Sequence, residues 1–330
     1  MTESLDEPTR RVLRISFTRL LQHASDSARV RTTATAEQPR SPLIAIRAVP
    51  ESNRPTLVLV HPVGGGVAAY FRLARLLAGD QPVYAIENRS GLDRSTQPLE
   101  SIEEMAASYL DLLRAAGLGP PLVLGGYSMG GLIAYEMARQ LARSGEPRPD
   151  LVAIIDTPAT LEAAAGEESM STEDVLTMSA VVCGPLGIDL PLDPDALNEA
   201  SPTGRVELLI DALRARKVLP AGIGGAVFRQ LLIGIQANDR AQRRYRPGRY
   251  DGAVLLFRAR EHTAVLAEAA GSCYDQPAFG WEEFCSGPLE VVPIPGAHLQ
   301  LLQDPGVRSL ASFLQHALDR HTAAPGNASR

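Results

Sequence analysis

The chain has 330 residues, 45% of them hydrophobic and 21% charged, with a formal net charge of −6. An acidic balance of this kind argues against a general binder of nucleic acid or anionic membrane, because both need a basic surface. No apolar run reaches the roughly 18 residues of a membrane span, and the three scattered cysteines, Cys183, Cys273 and Cys285, suit neither a disulfide framework nor a C-x-x-C metal site, so a reducing cytoplasm is the expected setting.

The N-terminus lacks the apolar centre of a secretory signal, and Glu3, Asp6 and Glu7 count against a transit peptide despite Arg10, Arg11, Arg14 and Arg19. Residues 9 to 24 place Leu13, Phe17, Leu20 and Leu21 at helical spacing among arginines, which predicts an amphipathic helix packing on its own domain or docking elsewhere. Residues 25 to 42 are polar and read as a linker, so 1–54 forms an extension that leads into the core. From residue 55 the order becomes strand, turn, helix. Strands are expected at 55–61, 82–87, 121–126 and 150–156, and helices at 68–78, 101–117 and 131–145. Ser101 and Glu104 predict a capping box for the second helix, and Gly145 a stop for the third. This alternation predicts an α/β fold with a mostly parallel, twisted sheet flanked by helices.

Between about 158 and 249 the alternation gives way to helical patterns broken by Pro and Gly. An insertion of that length between strands suggests a helical lid. Strands return at 252–259 and 289–295, and a helix over 307–321 closes a domain spanning 55–330.

The motif that carries chemistry is "GGYSMGG", in which Gly126, Ser128 and Gly130 fit G-x-S-x-G between a strand and a helix. Alone it is a weak signal, since a serine in a glycine-rich turn also caps helices. In a parallel sheet, however, reactive groups gather at the carboxyl ends of the strands, where Ser128 falls. A Cβ at position 126 or 130 would meet the strand or the following helix, and the Met129 amide lies at a helix N-terminus suited to an oxyanion.

A serine hydroxyl needs a base, usually a histidine oriented by a carboxylate. Of six histidines, His23 lies in the extension, His316 and His321 on or after the last helix, and His61 before the serine. His298, in the loop after the last strand, is the expected base, with His262 as the alternative. Asp156 ends the strand after the serine's helix, 28 residues beyond Ser128, and is the expected acid. Glu261 is its rival, and a helix cap ahead of Pro158 is the bland role for Asp156. The second oxyanion donor is expected from "HPVGGG", at the Val63 amide with Gly64 as alternate.

The same stretch offers another reading. Gly64, Gly66 and Ala69 fit G-x-G-x-x-G/A, and Glu87 closes the next strand where a ribose-binding acid belongs. An NAD(P)-dependent oxidoreductase would leave Ser128, Asp156 and His298 unexplained, as would a non-catalytic scaffold.

Residues 42 to 320 resemble the type I thioesterase domains of nonribosomal peptide synthetases and polyketide synthases. "LVLVHPVGGGVAAYFRLARLL", "VYAIENRSGLD", "GGYSMGGLIAYEMA", "IIDTPA", "RAQRRYRPGRYDGAVLLFRARE" and "PIPGAHLQLLQDP" match that family's landmarks in order. The resemblance implies an α/β-hydrolase fold with a mobile helical lid, and transfer of an acyl chain from a carrier protein's phosphopantetheine thioester onto serine before release by hydrolysis, macrocyclisation or transfer. It implies Ser128 as nucleophile, Asp156 as acid, His298 as base, and the Val63 and Met129 amides as oxyanion hole, with no metal or redox cofactor. The discrete type II editing members usually show a His before the serine and take the acid from the later strand, so Tyr127 and Asp156 favour type I. A generic serine esterase is a further alternative. The chain starts at a methionine and has no G-G-x-S motif upstream of the core, which leaves a free-standing enzyme or a terminal domain with its linker as expectations. Arg240, Arg243, Arg244 and Arg246, with Arg249, stand out in an acidic chain as candidates to meet the acidic carrier or the pantetheine phosphate.

Overall fold

The computed structural model describes residues 41–88, 98–162, 170–183, 190–218 and 225–321. The helix expected at 9–24 lies outside the described residues.

Seven strands, β1 (Leu43–Arg47), β2 (Thr56–Val60), β3 (Val83–Ile86), β4 (Leu122–Tyr127), β5 (Leu151–Ile155), β6 (Val254–Ala259) and β7 (Leu289–Ile294), form one sheet in the order β1-β3-β2-β4-β5-β6-β7. The unbroken apolar runs of β2, β4 and β5 are buried almost throughout, as expected for parallel strands covered on both faces. Every neighbour pair is parallel except β1 with β3. β1 is not among the strands read from the sequence. It has five residues, sits at the sheet edge and is only half buried, too short and too exposed to give a period-2 signal, although Ile44 and Ile46 pack on the core.

The helices are α1 (Tyr70–Leu76), α2 (Ile102–Ala115), α3 (Met129–Ser144), α4 (Thr172–Cys183), α5 (Pro194–Glu199), α6 (Pro202–Ala215), α7 (Gly225–Arg244), α8 (Ala264–Ala270) and α9 (Gly306–Arg320). At the start of α2, Ser101 Oγ accepts the Glu104 amide at 3.2 Å. The Glu104 carboxylate reaches the Glu100 amide at 3.1 Å instead of that of Ser101, so the expected box closes one residue early. α3 ends as expected, on Gly145 at φ 74°, a left-handed position that glycine enters without penalty.

The chain divides into two compact units. One contains the sheet, with Ser41–Asn88, Leu99–Ala163 and Arg240–Arg330; the other includes Ala164–Asp239. In this second unit α5 and α6 begin on Asp193 and Ser201, each followed by a proline in the first turn, an arrangement that stabilises helix starts. Arg205 donates to the Leu197 carbonyl at 2.7 Å and to that of Met170 at 2.9 Å, while Val206, Leu209, Ile210 and Leu213 form the buried face of α6.

Strand order also fixes where chemistry can occur. From β2 the chain returns to β3 on one side, whereas from β4 it goes on to β5 on the other. The loops leaving β2 and β4 diverge at a topological switch point, where ligands of open α/β sheets bind. Val60 and Gly126 are direct partners there, so the 61–66 loop and the Ser128 turn start side by side.

Candidate active site

Ser128 links β4 to α3 with φ 56° and ψ −133°, a region that L-residues enter only when their surroundings force it. The glycines explain how. A Cβ on Gly126 would lie 2.2 Å from the Gly130 carbonyl carbon, and one on Gly130 would lie 2.2 Å from the Val60 oxygen. The start of α3 is therefore pressed against the end of β2, and only glycine at both positions allows it. A Cβ on Gly131 would stand 2.5 Å from Thr157 Oγ1.

Ser128 occupies the N-cap position of α3, but its side chain makes no capping bond, which disposes of the bland role for this serine. Its backbone is held instead by the neighbours of Asp156. The Ser128 amide donates to the Ile155 carbonyl at 2.9 Å, and Thr157 Oγ1 donates to the Ser128 carbonyl at 2.7 Å. Trp281, fully buried, donates from Nε1 to the Thr157 carbonyl at 2.7 Å.

Asp156 is completely buried, at φ 52°, and no helix begins within residues 157–162 for it to cap. Its Oδ1 accepts the Ala259 amide at 2.6 Å, and its Oδ2 meets His298 Nδ1 at 2.8 Å. A buried carboxylate with both oxygens engaged keeps the proton of the neighbouring imidazole on Nδ1, leaving Nε2 as an acceptor. Neither His298 Nε2 nor Ser128 Oγ makes a hydrogen bond among the described residues. Both are uncommitted, and contacts of this kind tighten when substrate is bound.

His298 is fixed by its backbone as well. Its amide donates to Thr263 Oγ1 at 3.1 Å, and its carbonyl accepts from the Tyr127 hydroxyl at 2.8 Å. The alternatives are differently engaged. Glu261 and His262 are exposed, and the His262 ring sits edge-on to Tyr274. His61 is fully buried, with Nδ1 2.8 Å from the Pro62 carbonyl and Nε2 2.7 Å from the Tyr109 hydroxyl; burial holds its imidazole down at about 4.

The Pro62 carbonyl also accepts the Gly65 amide at 2.8 Å, and Gly65 takes φ 78°. Val63 and Gly64 thus sit in a tight turn at the end of β2, while Met129 opens α3 with an amide that has no acceptor within the helix. Of the arginines, Arg240, Arg244, Arg246 and Arg249 are exposed and Arg243 is half-buried. Arg243 donates to the Glu162 carbonyl at 3.3 Å, and Arg246 to the carbonyls of Arg243 and Tyr245 at 2.7 and 2.8 Å, which satisfies the end of α7.

Thr157, Thr263, Tyr70 and Trp281 support this corner without having been read from the sequence. Thr157 follows a strand already assigned and Tyr70 lies in a helix already assigned, but their contacts are long-range. Thr263 and Trp281 lie in a stretch between β6 and β7 that has no regular period.

Sheet order, strained serine turn and buried Asp–His pair together define an α/β-hydrolase fold. The thioesterase domain family matches residues 55–318, and the chain belongs to that family, a family of hydrolase-type enzymes. It is 29% identical over 269 residues to the malpinin synthetase of Mortierella alpina, covering 81% of this chain and 3% of the synthetase. It is 28% identical over 293 residues to the chondramide synthase cmdD of Chondromyces crocatus, covering 84% and 7%. The nonribosomal peptide synthetase btyA of Aspergillus terreus matches at 25% over 287 residues, covering 84% and 29%. The chain thus spans less than a third of the length of these relatives.

Among solved structures, holo-AB3403, a four-domain nonribosomal peptide synthetase bound to AMP and glycine, superposes with a TM-score of 0.74 at 25% identity, covering 88% of this chain and 21% of that one. The Vlm2 thioesterase domain superposes with a TM-score of 0.56 at 26% identity, covering 87% and 100%. This membership sets aside the dinucleotide reading. Consistently, α1 begins at Tyr70, ten residues past the end of β2, so the glycines of 64–66 do not lead straight into a helix as a pyrophosphate site requires. No described helix is long and apolar enough to cross a membrane.

Proposed function

We propose that this chain releases a peptidyl or polyketide acyl chain from a carrier protein's phosphopantetheine thioester through a covalent intermediate on Ser128. The observation that carries this reading is the buried Asp156–His298 pair, 2.8 Å apart, in the corner whose backbone bonds also hold the Ser128 turn. Ser128 Oγ attacks the thioester carbonyl while His298 Nε2 takes its proton, and Asp156 steadies the imidazolium through Nδ1. The Val63 and Met129 amides, with Gly64 as alternate, stabilise the oxyanion. The C–S bond then breaks, and the departing sulfur takes the proton from His298. Water or a nucleophile within the chain attacks the resulting oxoester, passing its proton through His298 back to Ser128 as the C–O bond breaks. These steps draw on side chains and backbone amides alone.

The synthetase relatives favour a carrier-bound substrate over the simple oxygen esters of a generic esterase, and Tyr127 with Asp156 favours the type I over the type II editing reading. The helical segment is read as a lid from its place in the chain, directly after the acid's strand. The exposed charges of Arg240, Arg244 and Arg246, with half-buried Arg243, are proposed to meet the carrier or its phosphate. Charge reversal at Arg244 and Arg246 should then slow turnover of carrier-bound acyl groups while sparing small thioesters.

The test is intact-protein mass spectrometry after mixing the protein with acyl-N-acetylcysteamine thioesters, with Ser128→Ala alongside and the products identified. An acyl adduct that requires Ser128 is expected, and a linear or cyclic product reports the release mode. Absence of adduct and turnover, also with acyl groups loaded on a carrier protein, overturns the reading.

A further inference from the structure

Tyr127 precedes the serine and touches the histidine twice. Its ring stacks on the His298 imidazole with centroids 4.8 Å apart and planes 28° from parallel, and its hydroxyl donates to the His298 carbonyl at 2.8 Å. The tyrosine is itself held from behind. Its amide donates to the Tyr70 hydroxyl at 2.9 Å, which donates in turn to the Val60 carbonyl at 2.6 Å. Burial, followed by the charge of Asp156, pushes the Tyr127 phenol well above its ordinary range, so the hydroxyl remains a donor. Strand β4 thus fixes an aromatic face against an imidazole that belongs to the loop after β7.

An aromatic face carries a negative quadrupole that attracts a cation but interacts far less with a neutral ring. Under the reading of His298 as base, its imidazole is neutral before attack and cationic once it holds the serine proton. A contact that strengthens as the charge appears lowers the barrier, whereas one that is equal in both states does not.

We propose that Tyr127 is a positioning residue with two separable roles: its hydroxyl anchors the His298 backbone, and its ring face stabilises the imidazolium formed during acyl transfer. This rests on the assignment of His298 as the base. The ring role depends on charge and not merely on shape, which makes it measurable apart from packing.

The experiment compares Tyr127→Phe, Tyr127→Leu, and phenylalanine bearing one, two or three ring fluorines at position 127. Fluorines withdraw density from the ring face at nearly constant size. Single-turnover acylation of Ser128 by an acyl-N-acetylcysteamine thioester, KM and thermal midpoint are followed for each. Tyr127→Phe should keep most of the acylation rate, and Tyr127→Leu should lose roughly 2- to 30-fold more, the range of a cation–aromatic contact, with KM little changed. Acylation should fall stepwise with fluorine number while the thermal midpoint stays near that of Tyr127→Phe. A flat fluorine series, with acylation still dependent on Ser128, overturns the ring role and leaves the triad reading intact. Loss of Ser128-dependent acylation in the unaltered protein overturns both. If the leucine variant fails to fold, the fluorinated series still decides.

Discussion

His61 and His298 are both buried and both stand at the carboxyl edge of the sheet, yet their surroundings give them opposite chemistry. His61 Nδ1 faces the Pro62 carbonyl, which can only accept, so the proton is on Nδ1 and Nε2 accepts from Tyr109. Both nitrogens are occupied by neutral partners, and burial disfavours charge. His298 Nδ1 faces a carboxylate, and its Nε2, without a hydrogen bond among the described residues, is left for the Ser128 proton in the proposed mechanism. Burial alone therefore does not mark a base. The partner on Nδ1 and the unbonded Nε2 are what favour His298 over His61 for the proposed role.

The largest effect should come from removing the charge that distinguishes the two. Asp156→Asn is expected to lower kcat by about 10⁴-fold, with the fold retained by circular dichroism. A loss below tenfold would erase the contrast.

The second lies in the response to acid. Folded His61 resists protonation down to about 4, whereas the unfolded chain takes up that proton from about 6.5. The unfolded state therefore binds more protons in this window, and stability contributed by neutral His61 is present above it and lost as pH falls through it, by up to ~3 kcal/mol. Urea midpoints between pH 7 and 4 should fall less steeply in His61→Gln than in the unaltered protein. Parallel slopes would place His61 among ordinary titrating histidines.

Next, Tyr109→Phe leaves the buried Nε2 of His61 without its donor and should cost about 1–3 kcal/mol in chemical denaturation, with kcat nearly unchanged. A large drop in kcat would instead tie His61 to turnover. The smallest effect is expected from Glu261→Gln, the rival acid, which should alter kcat by less than about twofold because Asp156 holds Nδ1. A loss comparable to that of Asp156→Asn would move the acid to the later strand.

Most of the sheet was legible because buried parallel strands write themselves as apolar runs, as in "TLVLV" and "LVAII". Ser128 was legible through its glycines, whose spacing encodes the approach of α3 to β2. Asp156 and His298 could be chosen because strand ends are recognisable and few histidines follow the serine. β1 escaped for want of length. The supports of His298 escaped for a different reason: Thr263 and Tyr127 meet it across 35 and 171 residues, and no local pattern records a contact made by folding alone.

The bonds from Ser128 to Ile155 and from Thr157 to Ser128 lace the two turns that follow β4 and β5. Mechanically Ser128 and Asp156 are one piece, carried by paired strands. His298, the proposed base, arrives on a separate loop and can be displaced without distorting the sheet. Changes in substrate bulk, or drift in distant loops, should therefore register first as misalignment of His298, with the reactivity of the serine turn following from it.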